Sequence, residues 1–166
     1  MFLINEKEVF KLKTLIELKI NDEIYEVAID AHRTLLEVLR ENLGFTGTKE
    51  ACDLGECGSC TVLMDGKPVL SCLYLAIEAQ GKDILTIEGL DKEGKLSPLQ
   101  QSFVDHGAIQ CGFCSPGMIM SAKALLNRNP SPTEDEIKEA ISGNLCRCTG
   151  YVKIIEAIKN AAGKEI

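Results

Sequence analysis

The sequence lacks several features that would assign it to common functional classes. No apolar run approaches the roughly 20 residues that a membrane span requires, so we expect no membrane partner. Lys and Arg number 18 against 25 Asp and Glu, a net charge of −7, and no basic stripe is present, which disfavours nucleic acid as a partner. Residues 1–14 contain neither a long apolar core nor twin arginines and do not resemble an export signal, so we expect a cytoplasmic protein.

Histidine is also scarce. The two histidines, His32 and His106, are isolated from one another in the sequence. General acid–base catalysis needs a positioned titratable side chain, most often histidine, within reach of the reacting group. Nothing in the pattern favours that role for either residue, and a lone histidine is more often structural or superficial. We therefore expect no catalytic residue and no substrate site in this chain.

Cysteine, by contrast, is abundant: eight residues fall into two sets of four. The first quartet is Cys52, Cys57, Cys60 and Cys72, and the second quartet is Cys111, Cys114, Cys146 and Cys148. Disulfides are disfavoured in a chain without an export signal, because cytosolic thiols stay reduced. The arrangement predicts two metal centres.

The first quartet has the spacing C-x4-C-x2-C followed by a distant fourth cysteine, which is typical of a plant-type 2Fe-2S ferredoxin loop. Residues 51–60 contain too many glycines for a helix, so we expect a wrapping loop. Gly55 and Gly58 are the positions where positive φ and close approach to inorganic sulfide are easiest. Exposed N–H groups of such a loop can offset the charge of an anionic cluster. All-cysteine zinc sites more often show two short knuckles, which favours iron–sulfur here.

The second quartet combines C-x2-C with C-x-C, and this spacing alone also fits zinc. Its flanks add information. Ser115 followed by Pro116 predicts the start of a helix over 116–129, and Thr149 predicts the start of a helix over 149–162. Both cysteine pairs would then lie just before helix N-termini, where partial positive charge and free N–H groups stabilise an anion. This geometry favours a buried, negatively charged centre.

Secondary-structure patterns change near residue 88. Before it the sequence predicts one amphipathic helix over 35–43, capped by Thr34, and strands over 15–20, 24–29, 61–64, 68–72 and 84–87. After a charged connector over 89–96 it predicts four helices, over 98–106, 116–129, 133–142 and 149–162. The sequence therefore predicts an α+β fold in two domains, 1–88 and 89–166, with residues 1–13 as an N-terminal extension. No internal repeat relates the two domains.

Three segments together resemble a known family: the loop over 52–60, the string QCGFC over 110–114, and GNLCRCTGY over 143–151. In this order they look like the small iron–sulfur subunit of the molybdenum hydroxylases. That family includes xanthine dehydrogenase, aldehyde oxidoreductase, aerobic carbon monoxide dehydrogenase and 4-hydroxybenzoyl-CoA reductase. Two positions depart from the family pattern: Ala51, where glycine is more frequent, and Ser115, where threonine is usual.

The resemblance implies a β-grasp plant-type ferredoxin domain followed by an all-α four-helix bundle that carries a second cluster. The first quartet would ligate the ferredoxin-type 2Fe-2S cluster, nearer the flavin in the family. The second quartet would ligate the 2Fe-2S cluster nearer the molybdenum cofactor. By the same resemblance, the side chain of Gln110 and the backbone N–H of Cys148 match positions that contact molybdopterin.

The function implied by this resemblance is electron transfer within a molybdenum-containing hydroxylase or dehydrogenase. The chain would relay electrons between the molybdopterin centre of a large subunit and the FAD of a medium subunit, in a dimer of heterotrimers. The residues alone leave two alternatives open. One is a free-standing two-cluster electron carrier without molybdenum, and the other is a zinc-stabilised structural adaptor.

Overall fold

The first half of the chain contains a five-stranded mixed sheet. The computed structural model describes residues 13–91 and 94–164, so the predicted extension over 1–13 lies, except for its last residue, outside the described residues. The strands are β1 (Thr14–Ile20), β2 (Glu23–Ile29), β3 (Thr61–Met64), β4 (Lys67–Leu70) and β5 (Asp83–Leu85). Their order across the sheet is β2-β1-β5-β3-β4, and β5 runs parallel to β1 and antiparallel to β3.

Two tight turns join strands that the sequence predicts into hairpins. Asn21 and Asp22 both have positive φ, at 52° and 68°, and pair β1 with β2 so that Ile20 faces Glu23. Asp65 and Gly66, at 50° and 76°, join β3 to β4 in the same way. Two successive residues with positive φ match the right-handed twist of the flanking strands. The hairpins therefore follow from local sequence.

The helix α1 (Leu35–Glu37) begins with a capping box, in which Thr34 and Glu37 bond each other's backbone N–H groups. It continues as a π-helical turn over Val38–Asn42, so the predicted regular helix over 35–43 is corrected to a short α-turn followed by a wider one. The N–H of Leu43 bonds to the carbonyl of Val38, five residues earlier. The apolar face of this segment packs on the sheet in a first core, which includes Ile16, Leu18, Leu35, Leu39, Val62 and Ile84.

Four helices follow in the second half of the described chain: α2 (Pro98–Asp105), α3 (Ser115–Arg128), α4 (Glu134–Ala140) and α5 (Val152–Ala161). Capping boxes start α2 at Ser97 and α4 at Thr133. The helices share a second core, which includes Leu99, Phe103, Met118, Met120, Ile137, Ile154 and Ile158. Leu63 of β3 belongs to this core, because α3 packs against β3. None of the helices in the described ranges is long and apolar enough to cross a membrane.

Several element boundaries differ from the sequence predictions. The strand predicted over 84–87 ends at Leu85, and Ile87 begins a 3-10 turn, Ile87–Leu90. Cys72 lies in a 3-10 turn, Ser71–Leu73, and not in a strand, because Ser71 Oγ turns back to donate to the Cys60 carbonyl at 2.7 Å. Cys114 caps α3, and Ser115 is already helical. The last helix begins at Val152, not at Thr149, because Tyr151 has φ of 69°, which a right-handed helix cannot contain.

Candidate metal centres

The first quartet is collected from three consecutive parts of the fold. Cys52 and Cys57 lie in the loop before β3, Cys60 is buried directly before β3, and Cys72 is buried in the 3-10 turn after β4. The Sγ atoms of Cys60 and Cys72 are 3.4 Å apart. The Cys57 thiol lies close enough to Cys52 to lower the pKa of the Cys52 thiol. The quartet is therefore two close pairs of thiols, held by one sheet edge.

The thiols of the second quartet also form two pairs. Cys111 precedes α3 and Cys114 caps it, whereas Cys146 and Cys148 lie in the loop between α4 and α5. Cys148 Sγ is 3.5 Å from Cys111 Sγ, and the Cys146 thiol lies close enough to Cys114 to raise the pKa of the Cys114 thiol. The thiols thus approach one another as two pairs, from one helix start and one loop.

The donor geometry fits a cluster with two irons. All eight cysteines are free thiols, and a disulfide would bring two sulfurs to about 2 Å. Two thiolates on one tetrahedral metal, at about 2.3 Å each, stand about 3.8 Å apart, close to both Sγ–Sγ distances. Within 13–91 and 94–164, no three His, Cys, Asp or Glu side chains gather around a single point. Two pairs of thiols per quartet match the four-cysteine ligation of a 2Fe-2S cluster.

The loop of the first quartet turns its backbone N–H groups toward sulfur. Asp53, Gly55 and Gly58 have positive φ, at 50°, 78° and 69°, which confirms the expectation for both glycines. The N–H of Leu54 lies 3.5 Å from Cys52 Sγ. That backbone hydrogen bond, helped by the Cys57 thiol, lowers the pKa of Cys52 to about 7. Hydrogen bonding to the charged form favours a thiolate, the form that binds metal.

Burial opposes ionisation deeper in the same quartet. It raises the pKa of the Cys72 thiol to about 12, and the hydrogen bond with Cys60 adds to the increase. A buried thiol of this kind becomes a thiolate only when positive charge arrives beside it. Metal binding at Cys72 would therefore release a proton.

The second quartet shows the same division into easily and less easily ionised thiols. Burial disfavours the Cys146 thiolate, but hydrogen bonds from the Thr149 side chain and backbone outweigh it and lower its pKa to about 7. The Thr149 N–H lies 3.4 Å from Cys146 Sγ. Burial raises the pKa of Cys114 to about 12. The backbone N–H of Phe113 lowers the pKa of Cys111, and the hydrogen bond with Cys111 raises that of Cys148.

Two expectations about the second quartet were wrong. Cys111 and Cys148 are exposed, and only Cys114 and Cys146 are partly covered, so this centre is not buried within the chain. Cys114 adjoins a helix N-terminus, but residues 149–151 separate Cys148 from α5. The left-handed Tyr151 delays the start of the helix to Val152. One edge of the second quartet consequently faces outward.

The other residues singled out from the sequence lie at the surface. Gln110 is exposed and adjoins the exposed Cys111, which contacts Cys148. Ile109 and Phe113 add exposed apolar side chains to this face, which we call the Gln110 face. His32 is exposed, and His106 at the end of α2 hydrogen-bonds the Ser102 carbonyl through Nδ1 at 2.8 Å. Neither histidine is part of a cysteine quartet.

Sequence reasoning missed three residues that organise the second loop. Leu145 N–H donates to the Cys57 carbonyl at 2.9 Å, and the buried Asn144 donates through Nδ2 to the Gly58 carbonyl at 2.9 Å. The hydroxyl of Tyr151 accepts from Cys146 N–H at 2.8 Å. A polar, uncharged asparagine two residues before Cys146 was a local signal. Its partners lie 86 and 83 positions away, where no sequence pattern points.

Two protein families match consecutive parts of the chain. A family described as 2Fe-2S iron-sulfur cluster binding domain matches residues 18–86, which contain the first quartet. A family described as [2Fe-2S] binding domain matches residues 86–159, which contain the second quartet. The two matches together extend over most of the chain.

Individual relatives match over nearly their full lengths. The chain is 51% identical over 149 residues to the nicotinate dehydrogenase small FeS subunit of Eubacterium barkeri, covering 90% of this chain and 95% of that protein. It is 52% identical over 149 residues to the nicotine 6-hydroxylase small subunit of Paenarthrobacter nicotinovorans, covering 90% of each. A chain of quinoline 2-oxidoreductase from Pseudomonas putida 86 superposes with a TM-score of 0.88 at 48% identity, covering 90% of this chain and 94% of that chain.

Proposed function

The chain belongs to the small iron–sulfur subunits of the molybdenum hydroxylase family, and from that membership we propose which of its residues hold each cluster. It is an electron-transfer subunit of an oxidoreductase complex, with two 2Fe-2S binding domains. The first quartet ligates the ferredoxin-type cluster and the second quartet ligates the other. The single observation that carries this assignment is the pairing of thiols, at 3.4 Å for Cys60–Cys72 and 3.5 Å for Cys111–Cys148.

Each close pair is proposed to bind one iron of its cluster. When bound, a 2Fe-2S cluster takes up and gives back one electron at a time, at a potential set by hydrogen bonds and exposure. The N–H groups of Leu54 and Thr149 stabilise thiolate charge at Cys52 and Cys146. Burial of Cys60 and Cys72 keeps water from one side of the first site, whereas exposure of Cys111 and Cys148 leaves the second open to a partner.

The domain boundaries are proposed as 1–88 for a β-grasp ferredoxin-like domain and 89–166 for a four-helix bundle that holds the second cluster. Two separate hydrophobic cores support this division. The five-stranded sheet and α1 share the first core, and the four later helices share the second. Leu63 of β3 packs in the helical core, so the two units are in direct contact.

The partners are proposed to be a large molybdopterin-binding subunit and a medium FAD-binding subunit, in a cytoplasmic dimer of heterotrimers. The relatives are themselves named as small subunits. Gln110 and the backbone N–H of Cys148 are proposed to contact molybdopterin, because the Gln110 face is exposed and apolar beside the open second quartet. The two quartets would hold the clusters that carry electrons one at a time between molybdopterin and FAD.

Anaerobic purification of the native complex tests the proposal. We expect about four iron and four acid-labile sulfide per chain, together with two distinguishable electron paramagnetic resonance (EPR) signals after reduction with dithionite. Larger chains carrying molybdopterin and FAD should copurify. A sulfide-free, colourless protein with bound zinc would identify the structural adaptor. A protein that carries both clusters but purifies alone would identify the free-standing carrier.

A further inference from the structure

The two cysteine loops are distant in sequence but are hydrogen-bonded to each other. Leu145 N–H donates to the carbonyl of Cys57 at 2.9 Å. Leu145 adjoins Cys146, so this single bond connects the backbone of one proposed ligand to the residue beside another. The path from Cys57 to Cys146 crosses one hydrogen bond and one intervening residue.

Asn144 reinforces this connection with its side chain. It is 4% exposed, and its Nδ2 group donates to the Gly58 carbonyl at 2.9 Å and to Thr61 Oγ1 at 3.3 Å. Thr61 Oγ1 in turn donates to the same Gly58 carbonyl at 2.7 Å. Both acceptors belong to the first loop and the strand that follows it. The amide of Asn144 therefore reaches out of its own loop and holds the other.

The backbones approach too closely for side chains between them. A Cβ built on Gly58 would lie 2.4 Å from the Gly143 carbonyl and 2.6 Å from Asn144 Nδ2. Gly58 also has φ of 69°. Glycine is thus required at this contact, where the Asn144 amide hydrogen-bonds the Gly58 carbonyl. Burying an amide costs free energy unless it is hydrogen-bonded, so the pairing is specific and not incidental.

We propose that Asn144 is a positioning residue for electron transfer between the two clusters. Its side chain fixes the separation and mutual orientation of the two cysteine loops, and so holds the Cys57–Leu145 hydrogen bond in place. In each transfer the cluster on one quartet is oxidised by one electron and the cluster on the other is reduced by one electron. No covalent bond forms or breaks, and no proton has to move. This inference rests on the proposed ligand sets.

The test uses the assembled complex with its partner subunits, reduced fully with dithionite and examined by EPR. When both clusters are paramagnetic their spins interact, and the resulting splitting depends on their separation and orientation. Asn144→Leu keeps a similar volume but cannot hydrogen-bond. We expect this variant to retain iron, sulfide and both signals but to lose or change the splitting.

A matched pair of variants at Thr61 keeps the proposal testable if Asn144→Leu fails to load the second cluster. Thr61→Val removes the hydroxyl that joins Asn144 to Gly58 and should alter the splitting, whereas Thr61→Ser keeps the hydroxyl and should preserve it. The control is Asn160→Leu, whose exposed amide donates at 2.8 Å to the Glu156 carbonyl within α5. It should leave the splitting unchanged.

The outcomes separate this inference from the proposed function. An unchanged splitting in Asn144→Leu, or equal splittings in Thr61→Val and Thr61→Ser, would overturn the positioning role while leaving the ligand sets intact. A wild-type complex without two 2Fe-2S signals would overturn the ligand sets themselves, and the positioning role with them.

Discussion

Gly117, in the first turn of α3, lies directly against the carbonyl oxygen of Gly58. A Cβ built on Gly117 would stand 2.2 Å from that oxygen and 3.1 Å from two backbone carbons of the same loop. The turn that contains Gly117 begins at Cys114, a member of the second quartet. One helical turn therefore carries a second-quartet thiol and contacts the first loop.

Gly117→Ala should destabilise the protein. Alanine improves helix propensity by about 1 kcal/mol, but overpacking against backbone atoms costs about 1–3 kcal/mol. A contact of 2.2 Å belongs at the upper end of that range. We expect a net loss of about 2 kcal/mol, measured as an apparent melting temperature lower by roughly 4–8 °C.

Gly143→Ala is the matched control, because a Cβ there meets nothing within 4 Å and its φ is not left-handed. Its stability should stay within about 0.5 kcal/mol of wild type. Equal melting temperatures for both variants would show that the Gly117–Gly58 contact can relax without cost.

Cys148→Ser should abolish the second cluster while the ferredoxin-type signal survives. Cys148 pairs with Cys111, and the first quartet is held by the sheet edge and the 3-10 turn. Iron content should fall from about four to about two per chain, measured by chemical analysis and EPR. Cys72→Ser is the reciprocal variant and should remove only the ferredoxin-type signal. Loss of both signals in Cys148→Ser would mean that the two halves do not load independently.

Gln110→Ala should leave both clusters intact and slow electron exchange with molybdenum. The side chain is exposed beside Cys111, so its removal leaves no cavity and breaks no quartet contact. Pre-steady-state reduction of the clusters through the molybdenum subunit measures the effect. Gln101→Ala, an exposed glutamine on α2 that hydrogen-bonds Asp105, is the control. Unchanged reduction rates in Gln110→Ala would remove Gln110 from the molybdopterin contact.

Leu54→Glu should weaken docking of the flavin subunit. Leu54 and Leu73 are 73% and 61% exposed, and both lie beside the first quartet. Burying such a leucine in an interface contributes about 1.5–3 kcal/mol, and a carboxylate in its place would lose its hydration on burial. We expect the FAD-bearing chain to be lost during purification while both clusters remain. Leu15→Glu, on β1 and 66% exposed, is the control; equal FAD content in both variants would exclude this surface.

The sequence predicted those parts of the fold that depend on contacts between residues close together in the chain. Asp65 and Gly66 form their turn, and Ser97 and Gln100 close a capping box, through contacts that the local pattern contains. The errors lie where distant contacts decide. The start of α5 depends on Tyr151, whose left-handed backbone is held by bonds to the loop before it. Such a conformation in a non-glycine residue has no sequence signature.

Tyr151 therefore provides a test of how the second loop is held. Its hydroxyl accepts from Cys146 N–H at 2.8 Å and donates to the Asn144 carbonyl at 3.3 Å. Tyr151→Phe keeps the ring against the helical core but leaves the Cys146 N–H without this acceptor, at a cost of about 1–3 kcal/mol. Because that N–H belongs to a proposed ligand, the second cluster should be lost to a chelator faster than in wild type, with the first cluster unaffected.

Bleaching kinetics combined with EPR of the surviving signals measure this difference between the clusters. Tyr25→Phe is the control, since its hydroxyl donates to Glu23 on the exposed side of β2 at 2.7 Å. If Tyr151→Phe and Tyr25→Phe lose the second cluster at the same rate, the Tyr151 hydroxyl does not support Cys146. A faster loss of both clusters in Tyr151→Phe would instead mean that the strain reaches the first loop through Asn144, because that residue contacts both Tyr151 and Gly58.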